Sequence, residues 1–247
     1  MPTSTKQAID IATEQPVRRM TGGRFIAEYI KAQGVTHVFF MDAILRQALT
    51  ELEDIGVKRI LGHSEKGIAY MADGYARALR KPAVCMSQSV GAANLAAALQ
   101  ESWFAYAPVI ALTGRQTAVK QYRNAYQELP HEPLFATVTK FSGRVDEVAQ
   151  LPHIIRQAFR EATTGTPRPV HIDLSGHTGD VIGAAELTAA IIPEPQFTKI
   201  PAYRPCAELD SVRLAAAAIK KGRTSSNRSR SRRYRIGRRG GFAGGRG

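Results

Sequence analysis

The chain has 247 residues, 44% of them hydrophobic, enough for one full α/β core and the start of another. Its formal net charge of +13 is concentrated: eleven Lys or Arg and no Asp or Glu lie from Lys220 onward, so residues 1–219 carry only +2, an ordinary enzyme-like surface that argues against a nucleic-acid-binding domain. Two distant cysteines, Cys85 and Cys206, spell neither a disulfide framework nor a metal knuckle, and the absence of a long apolar run excludes a membrane span and leaves a cytoplasmic location as the expectation.

In chain order, short apolar runs alternate with helix-period segments. That is the pattern of an α/β fold with an open, mostly parallel sheet flanked by helices on both faces. A helix over 23–32 leads to a strand at His37–Phe40. Ile44, Leu45, Ala48, Leu49 and Leu52 then recur at helical spacing before a strand at 57–61. Over 65–79, Ile68, Ala72, Tyr75, Ala76 and Leu79 make one apolar stripe. Buried strands are expected at 84–86 and 109–112, with an Ala-rich helix over 92–106 between them. Residues 116–132 lack a period and read as a long surface excursion; function often sits on such loops. A helix over 148–162 and a strand over 170–174 close the pattern. Pro193, Pro195, Pro201 and Pro205 mark a linker, and 208–221 has helical spacing again. The expected organisation is an extension over 1–19, a domain over 20–185, a linker over 186–207, the start of a truncated middle domain over 208–222, and a basic tail over 223–247.

The segment HSEKGIAYMADGYAR, His63 to Arg77, resembles the stretch that holds the catalytic glutamate in acetolactate synthases and related thiamine-diphosphate-dependent enzymes. SQSVGAANLAAAL, PVIALTG, YQE at 126–128, VTKFS at 138–142 and ATTGTPRPVHIDL follow in that family's order, so the resemblance covers roughly residues 20–180. It implies the N-terminal, pyrimidine-binding domain of an acetolactate synthase-like large subunit. The cofactor is then thiamine diphosphate, of which this chain would hold the pyrimidine half. Glu65 would hydrogen-bond a ring nitrogen of the aminopyrimidine and relay its proton, for which it needs partial removal from water; the strand end at Ile60 and Leu61 is expected to supply that. Ser87, Gly91 and Asn94 would face the cofactor, and Gln127 the reacting substrate. Read without the resemblance, Glu65 only complements a helix dipole, Gly91 only permits a turn and Asn94 only caps locally.

The family's substrates are small 2-keto acids, its full-length members are homodimers or homotetramers, and magnesium ligands lie in a domain not matched here; FAD binds in several relatives. No metal site is expected in this chain: His63, His131, His153, His171 and His177 have no ligand spacing and read as solvated or locally bonded, Cys85 as inert core, and Lys140 as a surface lysine. Three departures from the family pattern stand out. Phe40, Met41, Asp42 and Ala43 replace a Gly-x-Pro-Gly turn, Ser64 replaces a histidine, and Val90 replaces a proline. The expected activity is carboligation after decarboxylation, with this chain inactive alone. A 2-keto acid decarboxylase, a glyoxylate carboligase-like enzyme and a non-catalytic partner subunit are the alternatives within the family, and nucleic-acid binding through the Arg-rich tail the alternative outside it. The tail also admits a frameshift reading: synonymous codons for Thr224 to Phe242, read one base later, spell RPVIVAGRGAIASAGAG, which resembles the opening of the family's middle domain.

Overall fold

A computed structural model describes residues 16–221; the expectations for 1–15 and for the tail from 222 onward lie outside the described residues. Two units form, one ending at Arg204 and a second beginning at Pro205. In the first, eight strands and seven helices alternate: β1 (Arg18–Thr21), α1 (Gly22–Ala32), β2 (His37–Phe40), α2 (Arg46–Asp54), β3 (Lys58–Leu61), α3 (Glu65–Leu79), β4 (Ala83–Ser87), α4 (Gly91–Phe104), β5 (Val109–Arg115), α5 (His131–Phe135), β6 (Phe141–Val145), α6 (Leu151–Thr163), β7 (Val170–Ser175), α7 (Asp180–Ala184) and β8 (Glu186–Ala189). The second unit holds α8 (Leu209–Lys221), all of whose residues are exposed.

Six strands form one parallel sheet in the order β3-β2-β4-β5-β7-β6. Central strands are apolar on both faces because helices cover both. In β4, Val84 and Met86 point into a core built with Phe25, Tyr29, Ile155 and Phe159 of α1 and α6. Ala83 and Cys85, on the opposite face, join Ile68, Ala72, Leu95 and Leu99 of α3 and α4. Small residues dominate that second core, which lets α3 and α4 lie close together. The order of strands reverses between β2 and β4, so the loops leaving their C-terminal ends open a crevice where α/β sheets take ligands.

Several expectations need correction. β3 is an edge strand, and Leu61 is 58% exposed, because among the described residues nothing pairs beyond it. Leu79, placed on the buried stripe of α3, is also exposed. The segment expected as a linker from 186 packs against the domain: β8 pairs antiparallel with β1, and Phe197 and Ala202 are buried. Ile44 and Leu45 are buried but precede α2, in a turn where Ala43 (φ 68°) and Leu45 (φ 42°) adopt the left-handed conformation that favours glycine. The backbone keeps a glycine-type turn without the glycines. β6, over part of the VTKFS segment and beyond, carries no alternation strong enough to announce a strand.

Candidate functional site

Glu65 is the first residue of α3. Ser64 caps that helix, its Oγ accepting the Gly67 N–H at 3.0 Å, which accounts chemically for a serine at this position. The helix start projects the half-buried Glu65 side chain towards the first turn of α4. There Asn94 Nδ2 donates to Glu65 Oε2 at 3.2 Å. A Cβ on Gly91 would stand 2.6 Å from Glu65 Oε1, 2.8 Å from Cγ and 2.9 Å from Cδ. Since Gly91 has no positive φ, the glycine is there for space: its missing side chain is where the carboxylate lies. The exposed β3 end does not desolvate Glu65; the enclosing surface comes from α4.

Ser87, at the end of β4, is fully buried, and its Oγ has no hydrogen-bond partner among the described residues. Two residues on, Ser89 carries the connections. Its N–H bonds the carbonyl of His177, its carbonyl receives the Ala92 N–H at the start of α4, and its Oγ donates to the carbonyl of Gln127 at 2.6 Å. Gln127 is thereby tied to the turn that bears Gly91 and Asn94. Its own φ of 58° is left-handed, its Nε2 donates to the Tyr126 hydroxyl, and its buried Oε1 is unpaired among the described residues. Glu128 organises the same loop by accepting the backbone N–H groups of Tyr122 and Ala125, the Tyr122 bond being the main reason its carboxyl is held below the usual range.

Behind this loop the fold gathers a polar cluster that sequence spacing did not announce. His131, His171 and Asp173 are all buried, with ligand-type atoms within 4.8 Å of one another. Thr113 Oγ1 stands among them, 2.7 Å from His171 Nε2, 3.2 Å from His131 Nδ1 and 3.3 Å from Asp173 Oδ1, so a hydroxyl occupies the centre. His171 Nδ1 lies 2.8 Å from Ser142 Oγ, and its ring stacks on Phe135 at 3.6 Å. Burial pushes its pKa down to about 3, so it stays a neutral imidazole. Arg115 reaches Asp146 and lies 3.4 Å from Asp173 Oδ2. A cavity of about 930 Å³ opens beside Gln127, His131 and Arg115.

The remaining candidates separate cleanly. Cys85 is fully buried, which pushes its thiol up to about 12. Lys140 Nζ donates to the carbonyls of Glu161 and Thr164 at the end of α6, a capping role. His63 is exposed and His177 half-buried. No helix among the described residues is long and apolar enough to cross a membrane.

A parallel α/β domain whose crevice presents a carboxylate at one helix start, faced by a glycine and an asparagine of the next, belongs to the class of doubly wound cofactor-binding domains. Residues 20–134 match the family described as thiamine pyrophosphate enzyme, N-terminal TPP binding domain. Among curated proteins it is similar to a probable acetolactate synthase large subunit of Methanocaldococcus jannaschii, 34% identical over 188 residues that make up 75% of this chain and 31% of that protein. It is also similar to the acetolactate synthase isozyme 2 large subunit of Escherichia coli, 36% identical over 157 residues (63% and 29%), and to the chloroplastic acetolactate synthase of Arabidopsis thaliana, 33% identical over 175 residues (69% and 26%). The chain thus spans about a third or less of the length of these relatives.

Proposed function

We propose that residues 16–204 hold the aminopyrimidine of thiamine diphosphate, with Glu65 as its proton-bearing contact and Asn94 orienting that carboxylate. The observation that carries this reading is the cradle at Gly91: a side chain is omitted where the Glu65 carboxylate lies, and Asn94 is the only side chain among the described residues that donates to it. A half-buried carboxylate at a helix start, spending one lone pair on Asn94, keeps acceptor capacity for a ring N–H, a charge-assisted bond worth about 1.5–3 kcal/mol. Thiamine diphosphate, when bound, supplies the electron sink for 2-keto acid chemistry. The chain's part is to accept and return a proton at the Glu65 carboxylate, to keep that carboxylate on the α4 side of the crevice, and to place Gln127 beside the same turn through Ser89.

The relatives' names support a whole protein that decarboxylates one 2-keto acid and joins the product to another, though the 247-residue chain alone is expected to form no acetolactate from pyruvate. Exposed Tyr70, Met71 and Phe104 on α3 and α4 support a second copy packing on this side. Ligand-observed NMR with thiamine diphosphate tests the binding reading. Saturation transfer to the aminopyrimidine protons is expected in the wild-type chain and is expected to weaken at least about tenfold in Glu65→Gln. Equal signals from the two proteins would overturn the assignment of Glu65.

A further inference from the structure

His131 is buried, and no step proposed above uses it. It opens α5 directly after the long loop, and both of its ring nitrogens are engaged: Nδ1 lies 2.9 Å from Asp173 Oδ1 and Nε2 lies 3.0 Å from the Ser89 carbonyl. Both partners are acceptors. A singly protonated imidazole brings one N–H and one lone pair, so it would set a lone pair against one of them. The neighbouring hydroxyl does not relieve this. Thr113 Oγ1 lies nearer to His171 Nε2, at 2.7 Å, than to His131 Nδ1, at 3.2 Å, while Ser89 Oγ spends its hydrogen on Gln127. The two buried histidines therefore differ. His171 has a hydroxyl on each side, Ser142 and Thr113, either of which can donate or accept, whereas His131 faces acceptors on both.

We propose that His131 is a positioning residue, carrying hydrogen on both ring nitrogens, that clamps the Ser89 turn to the sheet and thereby sets where Gln127 stands relative to Glu65. The carbonyl it grips is the one that receives the Ala92 N–H in the first turn of α4, the helix bearing Gly91 and Asn94. The hydroxyl of the same serine holds the Gln127 backbone, whose left-handed φ is a strained conformation that persists only while neighbours impose it. One ring thus fixes two segments of the site, and Asp173 fixes the ring from β7. The role rests on the reading that Gln127 and Glu65 serve one site, but the clamp itself is measurable without any cofactor.

The test uses the unliganded 247-residue chain. Long-range ¹H–¹⁵N spectra of its histidine rings are expected to show hydrogen on both nitrogens of His131 and on only one nitrogen of His171. Hydrogen exchange is then compared in Ser89→Ala and His131→Phe. The backbone N–H groups of Tyr122, Ala125 and Glu128 are expected to exchange about tenfold faster in each variant while β4 and β5 stay protected. A His131 ring with a bare nitrogen, or loop exchange unchanged in Ser89→Ala, overturns the clamp. Should His131→Phe fail to fold, the wild-type ring spectrum and Ser89→Ala decide alone. Absence of thiamine diphosphate binding would count against the proposed function and leave these readouts standing.

Discussion

Gly91→Ala separates the site from the scaffold. The new Cβ would lie 2.6 Å from Glu65 Oε1, where an ordinary carbon–oxygen contact is about 3.5 Å, so the carboxylate must retreat by about 0.9 Å. Cγ and Cδ are also too close, which means the whole side chain rotates and the 3.2 Å bond from Asn94 breaks. The scaffold suffers little. Asn94 is exposed, Glu65 is half-buried, and alanine is favoured over glycine in a helix by up to about 1 kcal/mol. The melting temperature is therefore expected to stay within about 4 °C of wild type. The site suffers more, because losing a charge-assisted bond costs about 1.5–3 kcal/mol, and thiamine diphosphate affinity should fall at least about tenfold. Calorimetry or ligand-observed NMR for binding, with a thermal melt of the same sample, checks both halves. Retained affinity in a folded Gly91→Ala protein would refute the cradle argument, and a collapse of the melt would show that Gly91 serves the fold.

Three further outcomes follow from buried or strained groups. His171 has a folded pKa of about 3, below its unfolded value of about 6.5, so the unfolded chain binds the extra proton first: its contribution is full above about pH 6.5 and is lost as pH falls towards 3, at about 1.4 kcal/mol per pH unit. Denaturant melts between pH 7 and 5 should show a shallower decline in His171→Gln than in wild type, and parallel declines would contradict the assignment. Native-state alkylation should label Cys206, which is exposed, and spare Cys85, whose thiol burial holds near 12; mass mapping that finds Cys85 modified at neutral pH would show that its core opens. Ala43→Gly relieves a left-handed alanine worth about 1–2 kcal/mol against about 0.4–1 kcal/mol of added unfolded-state entropy, so the melting temperature should rise, by up to about 6 °C, and a fall would mean the turn is not strained there.

The sequence by itself determined the alternation of strands and helices, because a buried parallel strand and an amphipathic helix each write their burial locally: β2 and α3 fall at the residues their patterns mark, and the central strands lie within a few residues of expectation. It also placed Glu65 at a helix start, because the apolar stripe from Ile68 is a short-range feature. The tertiary structure alone decided what surrounds Glu65. Gly91 and Asn94 meet it from a helix that begins 26 residues later in the chain, and whether Gly91 bends a turn or makes room depends on that packing. Ser89 and His131 carried no signal of their own: a serine beside Ser87 and a histidine in an aperiodic loop gain meaning only when β4, β5 and β7 stand side by side and bring Ser89, Thr113 and Asp173 around one ring. The exposed end of β3 has the same origin, since Leu61 reads as buried until the strand order puts it at the edge of the sheet, while Ile60 beside it still packs partly against the second core.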